Sequence, residues 1–300
     1  MEPGGGAAMT VETIHAARLR RRQAVNIRTA TVRAIYMIWR RDLIRFWRDR
    51  TRVVGALVQP LLFLVILGTG LSSALRGAGG GTFRAGLDYT TFIFPGIIGM
   101  AVLFSSIFSG MSIIWDREFG FLKEVLVAPI DRSAVAIGKT LGGATQACIQ
   151  GLVLLVLAPF VGVKLTPLAV LALIVLIFCL AFALSAVGVS IAARMRSMMG
   201  FQFVLNFLVQ PAFFLSGALF PVTGLPAWMT VLTRVNPLSY GVDAIRRVVL
   251  GASGVPAPVL DRLSMTIGGQ VVPIWVEVAI LVAFGMVLLV VALLNFRHQD

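Results

Sequence analysis

Side chains able to do acid–base, nucleophilic or metal chemistry are scarce along these 300 residues. The two histidines, His15 and His298, lie in a basic N-terminal stretch and close to the last residue, away from any apolar pocket, and both read as solvated. Cys148 and Cys179 sit inside apolar runs, which suits buried small hydrophobes and not a disulfide, zinc or iron–sulfur framework. Residues 133–140, Ser-Ala-Val-Ala-Ile-Gly-Lys-Thr, follow the Walker A pattern with serine in place of its first glycine. A phosphate loop needs a glycine-rich turn between a strand and a helix. Here the residues open an apolar helix, so Lys139 is expected to snorkel and Gly138 with Gly142 to form a small-residue packing face. No catalytic residue, cofactor-binding residue or metal ligand is assigned.

What the apolar segments offer is neutral polarity. Gln202, Asn206 and Gln210 recur at i, i+4 and i+8, beside Phe203, Phe207, Phe213 and Phe214. Ser105, Ser106, Ser109 and Ser112 add hydroxyls to an earlier segment. Such a stripe suits an amphiphilic, drug-like substrate, or equally the hydrogen-bonded glue between helices in lipid. Gln202, Asn206, Gln210, Phe213 and Phe214 are the candidates for a substrate path. Glu277 is the one carboxylate placed about a turn inside an apolar run, where an ion pair with an outer arginine is favoured over a proton relay. Without midplane carboxylates a proton- or sodium-coupled carrier lacks its ligands, and a membrane enzyme lacks its acid, base or metal.

The elements that must hold these residues are membrane helices. Hydrophobic residues make up 58% of the chain and charged residues 13%, against about 25% charged in ordinary globular proteins. Mean hydropathy is +0.92. Runs without Asp, Glu, Lys or Arg cover 53–71, 89–115, 140–163, 165–193 and 197–233, and a last run covers 278–296. A crossing takes about 20 residues. The fifth run exceeds that; 198–214 reads as a helix, and Gly217, Pro221, Gly224 and Pro226 then break it. Residues 215–250 are therefore expected to form a short helical pair that re-enters from outside. The fold expected is all-α, with six transmembrane helices and both termini cytoplasmic.

Charge supports that orientation. The net charge of +13 is concentrated before residue 53, where twelve arginines stand. Six spans put nineteen of the 26 Lys and Arg residues inside and seven outside, as the positive-inside rule requires. The surplus is read as attraction to anionic lipid, with no nucleic-acid partner. Residues 1–29 form a basic arm without an apolar signal region, so the first span is expected to target the chain. Residues 30–52 read as an amphipathic interfacial helix with Ile35, Ile38, Trp39, Leu43, Phe46 and Trp47 near one side. Residues 116–130 form a second amphipathic segment, with Phe121, Leu122, Val125 and Leu126 at helical spacing, ended by Pro129.

Two motifs resemble those of the membrane-spanning permease subunit of type-2 ABC exporters, the group of drug-resistance, nodulation and polysaccharide exporters. One is Asp116-Arg117-Glu118-Phe119-Gly120-Phe121-Leu122-Lys123-Glu124-Val125-Leu126-Val127-Ala128-Pro129, similar to the family's coupling helix. The other runs from Phe214 through Gly217 and Phe220-Pro221 to Asn236-Pro237, Tyr240, Asp243 and Arg246, similar to the signature around the fifth span and the outer re-entrant helices. The resemblance implies a bacterial plasma-membrane exporter subunit that is not itself an enzyme. ATP and magnesium would belong to a separate ABC ATP-binding subunit, and a second permease copy or a related permease would complete the path. It marks Asp116, Glu118, Gly120, Phe121, Leu122, Glu124 and Pro129 for coupling. Gly217, Pro221, Asn236, Pro237, Tyr240, Asp243 and Arg246 carry the re-entrant signature. The chain has no soluble domain of its own large enough to be an ATPase. Drug-like amphiphile, lipid and lipid-linked glycan all fit as substrate.

Overall fold

The computed structural model describes residues 30–77, 88–119, 132–267 and 269–297. They form helices α1 (30–48), α2 (Arg50–Gly77), α3 (Tyr89–Ser109), α4 (Met111–Glu118), α5 (Arg132–Leu155), α6 (Pro167–Arg194), α7 (Met198–Phe214), α8 (Ala227–Val235), α9 (Pro237–Ala252), α10 (Ala257–Leu263) and α11 (Ile274–Arg297). A 3₁₀ turn, Ala158–Val161, follows α5. A two-residue hairpin precedes α11, with Thr266 opposite Val271 and Ile267 opposite Gln270.

Local chemistry sets several helix starts. Thr166 accepts a hydrogen bond from Ala169 N at 3.2 Å with Pro167 in the first turn, and Ser197 does the same for Gly200 N. Both are N-caps that satisfy a donor the helix cannot. At the other end of α6, the Arg117 guanidinium donates to the carbonyls of Ala193 and Met195. That arginine fixes α4 against α6.

α3 and α6 form the centre, with α5, α9 and α11 packed around them. In lipid the drive for helices to associate is close packing, and small residues supply it here. A Cβ on Gly188 would stand 2.6 Å from the Ile107 carbonyl oxygen, and one on Gly110 would stand 2.5 Å from the Gly188 oxygen. Gly143 faces Ser109 and Ser185 just as closely. The outward faces of α6 and α11 keep Leu168, Leu171, Val175, Trp275, Met286 and Val290 exposed, as a lipid solvent permits.

Among the described residues, four helical stretches are long and apolar enough to cross a membrane: Val53–Ala74, Tyr89–Glu118, Pro167–Arg194 and Ile274–Phe296. α7 is a shorter apolar helix, and α5 carries Lys139, Gln146 and Gln150. The third helix departs from the expected 140–163. It starts at Arg132 and ends at Leu155. Excluding charge from spans placed the boundary at Lys139, whereas ion pairing lets that lysine sit inside the helix. α11 likewise begins before Glu277. The α8–α9 pair forms where 215–250 predicted one, and α9 is nearly engulfed by α3, α6 and α11.

Candidate functional site

The residues singled out by sequence gather at opposite ends of the bundle and on the exposed face of α7. At the end that carries α1, five charged side chains converge. The Lys139 ammonium is 3% exposed. It lies 2.7 Å from Asp116 and 3.1 Å from Asp42, and donates to Ser112 Oγ at 3.0 Å. Arg41 reaches Asp116 at 2.7 Å and Asp42 at 3.2 Å, and Arg45 reaches Asp116 at 3.5 Å. Buried charge at this depth persists only when paired and hydrogen-bonded. Lys139 therefore does not snorkel; two carboxylates hold it inside.

The same cluster orients α1. Its inward face is Ala34, Ile38, Asp42 and Phe46, four residues apart, while Trp47 is 59% exposed. Gly138 and Gly142 do form a packing face, and α1 occupies it: a Cβ on Gly138 would meet Ile38 at 3.0 Å. Trp39 donates its indole N–H to Thr145 Oγ1 at 3.0 Å, and Gln146 donates to the Asp42 carbonyl at 3.1 Å.

Of the coupling candidates, Asp116 is consumed by these contacts, and Glu118, two residues on, is exposed. Gly120, Phe121, Leu122, Glu124 and Pro129 lie outside the described residues. Asp116 thus ties α4 to α1 and α5 at once.

On α7, Gln202, Asn206 and Gln210 all point outward with Phe203 and Phe207. Phe213 does not join them. It is buried, edge-on to Phe63 of α2 at 6.3 Å, and Phe214 is partly exposed beside it.

At the opposite end, the signature residues stitch the turn after α7 to α9. Gly217 has φ of +72°, and a Cβ there would strike Val222, so that turn needs glycine. The Arg246 guanidinium, 2% exposed, donates to the carbonyls of Gly217 at 2.6 Å and Ala218 at 3.4 Å and lies 4.2 Å above the Phe92 ring. Asn236 accepts from Leu238 N at 3.1 Å, capping α9 ahead of Pro237, and donates to the Ala212 carbonyl at 2.6 Å. Tyr240 donates to the Arg234 carbonyl at 2.7 Å. Asp243 accepts from Met265 N at 3.0 Å and pairs with Arg247 at 3.2 Å. Pro221 sits in the same turn, partly buried.

Glu277, fully buried, meets Arg247 at 2.5 Å, the arginine pair expected of it. Arg41, Asp42, Gln146, Gln150 and Arg247 were not singled out. The one sequence signal for Asp42 is its register: an acid in line with Ile38 and Phe46 on an otherwise arginine-rich helix. Among the described residues no group of three or more His, Cys, Asp or Glu could hold a metal ion.

Comparison with known proteins places this sequence among transporters. The family described as ABC-2 type transporter matches residues 33–250. A putative transport permease, ycf38, of Cyanophora paradoxa is 26% identical over 238 residues, covering 78% of this chain and 80% of the relative. Nodulation protein J of Rhizobium leguminosarum bv. trifolii is 28% identical, covering 71% and 80%. The inner membrane transport permease YadH of Escherichia coli strain K12 is 24% identical, covering 74% and 85%.

Proposed function

This chain belongs to the ABC-2 type transporter family, a family of membrane permeases, and from that membership we propose that it is the permease subunit of an ATP-driven exporter. It forms the translocation path and draws on ATP hydrolysis in a separate ATP-binding subunit, where ATP and magnesium reside. Six spans, α2, α3–α4, α5, α6, α7 and α11, cross a bacterial inner membrane with both termini cytoplasmic. α8 and α9 re-enter from outside, a placement supported by the burial of α9 among three long helices.

The observation that carries the coupling role is Asp116. Its buried carboxylate stands at the head of the 120–131 segment and is bound to Arg41 of α1 and Lys139 of α5. A push on that segment by the ATP-binding partner reaches two further helices through charge-assisted bonds, which are short and directional. The outward amides of α7 support a face turned toward a path or toward a second permease copy. An amide left against hydrocarbon without a partner costs about 2 kcal/mol or more. The substrate class that fits neutral amides among phenylalanines is an amphiphile: a drug-like compound, a lipid or a lipid-linked glycan.

The test is transport by the purified permease and ATP-binding subunits against a panel of these three classes, with and without ATP. Glu124→Lys should leave the chain inserted while the ATP-binding subunit is lost or its hydrolysis uncoupled. Normal ATP-driven transport by Glu124→Lys would count heavily against the coupling role. Single cysteines at Ser253 and Gln299 in a background without Cys148 and Cys179 check the topology. An impermeant reagent should label the first from outside and not the second.

A further inference from the structure

A second polar–aromatic site has no lining residue on α7. Near one end α2 is tied to the start of α3, where Ser72 donates to Asp88 at 2.9 Å and Thr90 to the Gly68 carbonyl at 3.0 Å. Toward α1 the two helices separate, and a cleft of about 350 Å³ opens between α2, α3 and α5. That volume falls in the range of small-molecule pockets, about 300–1,000 Å³. Phe46, Phe104, Phe108 and Trp115 supply its aromatic wall, Gln59 its rim and Gln150 its deep end. Phe104 and Phe108 stack at 6.2 Å.

Gln150 is the decisive residue. It is 2% exposed, and its Nε2 has no hydrogen-bond partner among the described residues. Buried amides are almost always paired, so an unpaired one calls for an occupant. Its neighbour Gln146, by contrast, is already committed to the Asp42 carbonyl. None of the lining side chains is ionisable, so a charged ligand would lose its hydration without gaining a counter-ion. The mouth is on the face of α2 that leaves Val54, Val58 and Leu62 exposed, and a Cβ on Gly55 would meet nothing within 4 Å.

We propose that this cleft binds a neutral amphiphile, with an apolar ring or chain against the phenylalanines and an acceptor oxygen on Gln150, taken up laterally from the lipid. α7 lines none of it, although Trp115 of its wall donates to Met198 Sδ of α7 at 2.8 Å; the variants below, at Gln150 and Gly55, lie outside the α7 stripe, so this site and the path proposed above can fail separately.

Photo-crosslinking in native membranes holding the full chain tests this. Three alkyne-tagged diazirine probes are used: a diacylglycerol, the neutral steroid progesterone, and an ionised fatty acid. The diacylglycerol, the steroid or both should label peptides containing Phe104–Trp115 and Gln146–Gln150, and the fatty acid should not. Labelling by the diacylglycerol alone identifies a membrane lipid, and by the steroid alone a free ring compound; either supports the site. Gln150→Leu, which keeps the volume, should cut labelling about three- to tenfold, the weight of one lost hydrogen bond. Gly55→Phe, which fills open space at the mouth, should reduce it to background, and Gly55→Ala should match the unmodified chain. Equal labelling in Gly55→Phe, equal labelling by the fatty acid, or no labelling of these peptides by either neutral probe would overturn the proposal and leave water as the partner of Gln150.

Discussion

Replacing Lys139 with methionine keeps an unbranched stem one heavy atom shorter and removes its charge from the centre of the ion cluster. Asp42 then keeps only Arg41 at 3.2 Å, and Asp116 keeps Arg41 at 2.7 Å and Arg45 at 3.5 Å. Removing one partner of a buried pair costs about 3–5 kcal/mol, because the remaining charge stays desolvated. Arg41 is already in place and partly exposed, so it reclaims some of that loss. The expected destabilisation is about 3 kcal/mol, the low end of the range. Equilibrium unfolding in mixed SDS micelles, read by tryptophan fluorescence, measures it. Asp42→Asn alone should cost less, since Lys139 retains Asp116 at 2.7 Å. The double variant Lys139→Met/Asp42→Asn should recover about 1–2 kcal/mol of the sum of the single losses, as contacting charges are not additive. A loss below about 0.5 kcal/mol for Lys139→Met, the level of an exposed pair, would refute the idea that this lysine is held inside by its two carboxylates.

Gly188→Ala should destabilise by about 1–3 kcal/mol, because the methyl would overlap the Ile107 backbone and force α3 from α6; Gly70→Ala, with open space around it, should change stability little in the same unfolding assay. Arg246→Lys loses the Nη2 donor shared by the Gly217 and Ala218 carbonyls and the planar guanidinium over Phe92, and should cost about 1–3 kcal/mol; limited proteolysis should then cut the 215–222 turn faster. Asn206→Leu and Gln202→Leu should insert normally yet alter ATPase stimulation or substrate preference about fivefold, the equivalent of about 1 kcal/mol; unchanged transport by both would reduce the stripe to tolerated polarity.

Much of this architecture is legible in the one-dimensional pattern. Lipid as solvent demands long apolar runs, and proline and glycine at 217–226 end the fifth one, so the helices and the break after α7 follow from composition and punctuation. Glu277 with an arginine partner follows from the cost of a lone carboxylate in that setting. The identity of that partner, Arg247 on a helix folded in between, does not.

The boundary of α5 and the role of Asp116 show where a linear reading stops. Charge marks Lys139 as a helix end, and the amphipathic pattern of 116–130 with its motif resemblance marks Asp116 as part of a segment facing a partner. Whether a charge can be buried depends on what stands within about 4 Å of it, and those neighbours are Asp116 of α4 and Asp42 of α1, the second nearly a hundred residues upstream of Lys139. The amphipathic pattern of α1 identified it as a surface helix but could not say that its one inward acid would meet that lysine. The face of a helix is set by periodicity, which sequence contains. The pairing of faces is set by which glycines allow two backbones to approach, as at Gly138 against Ile38 and Gly188 against Ile107, and that was decided only in three dimensions.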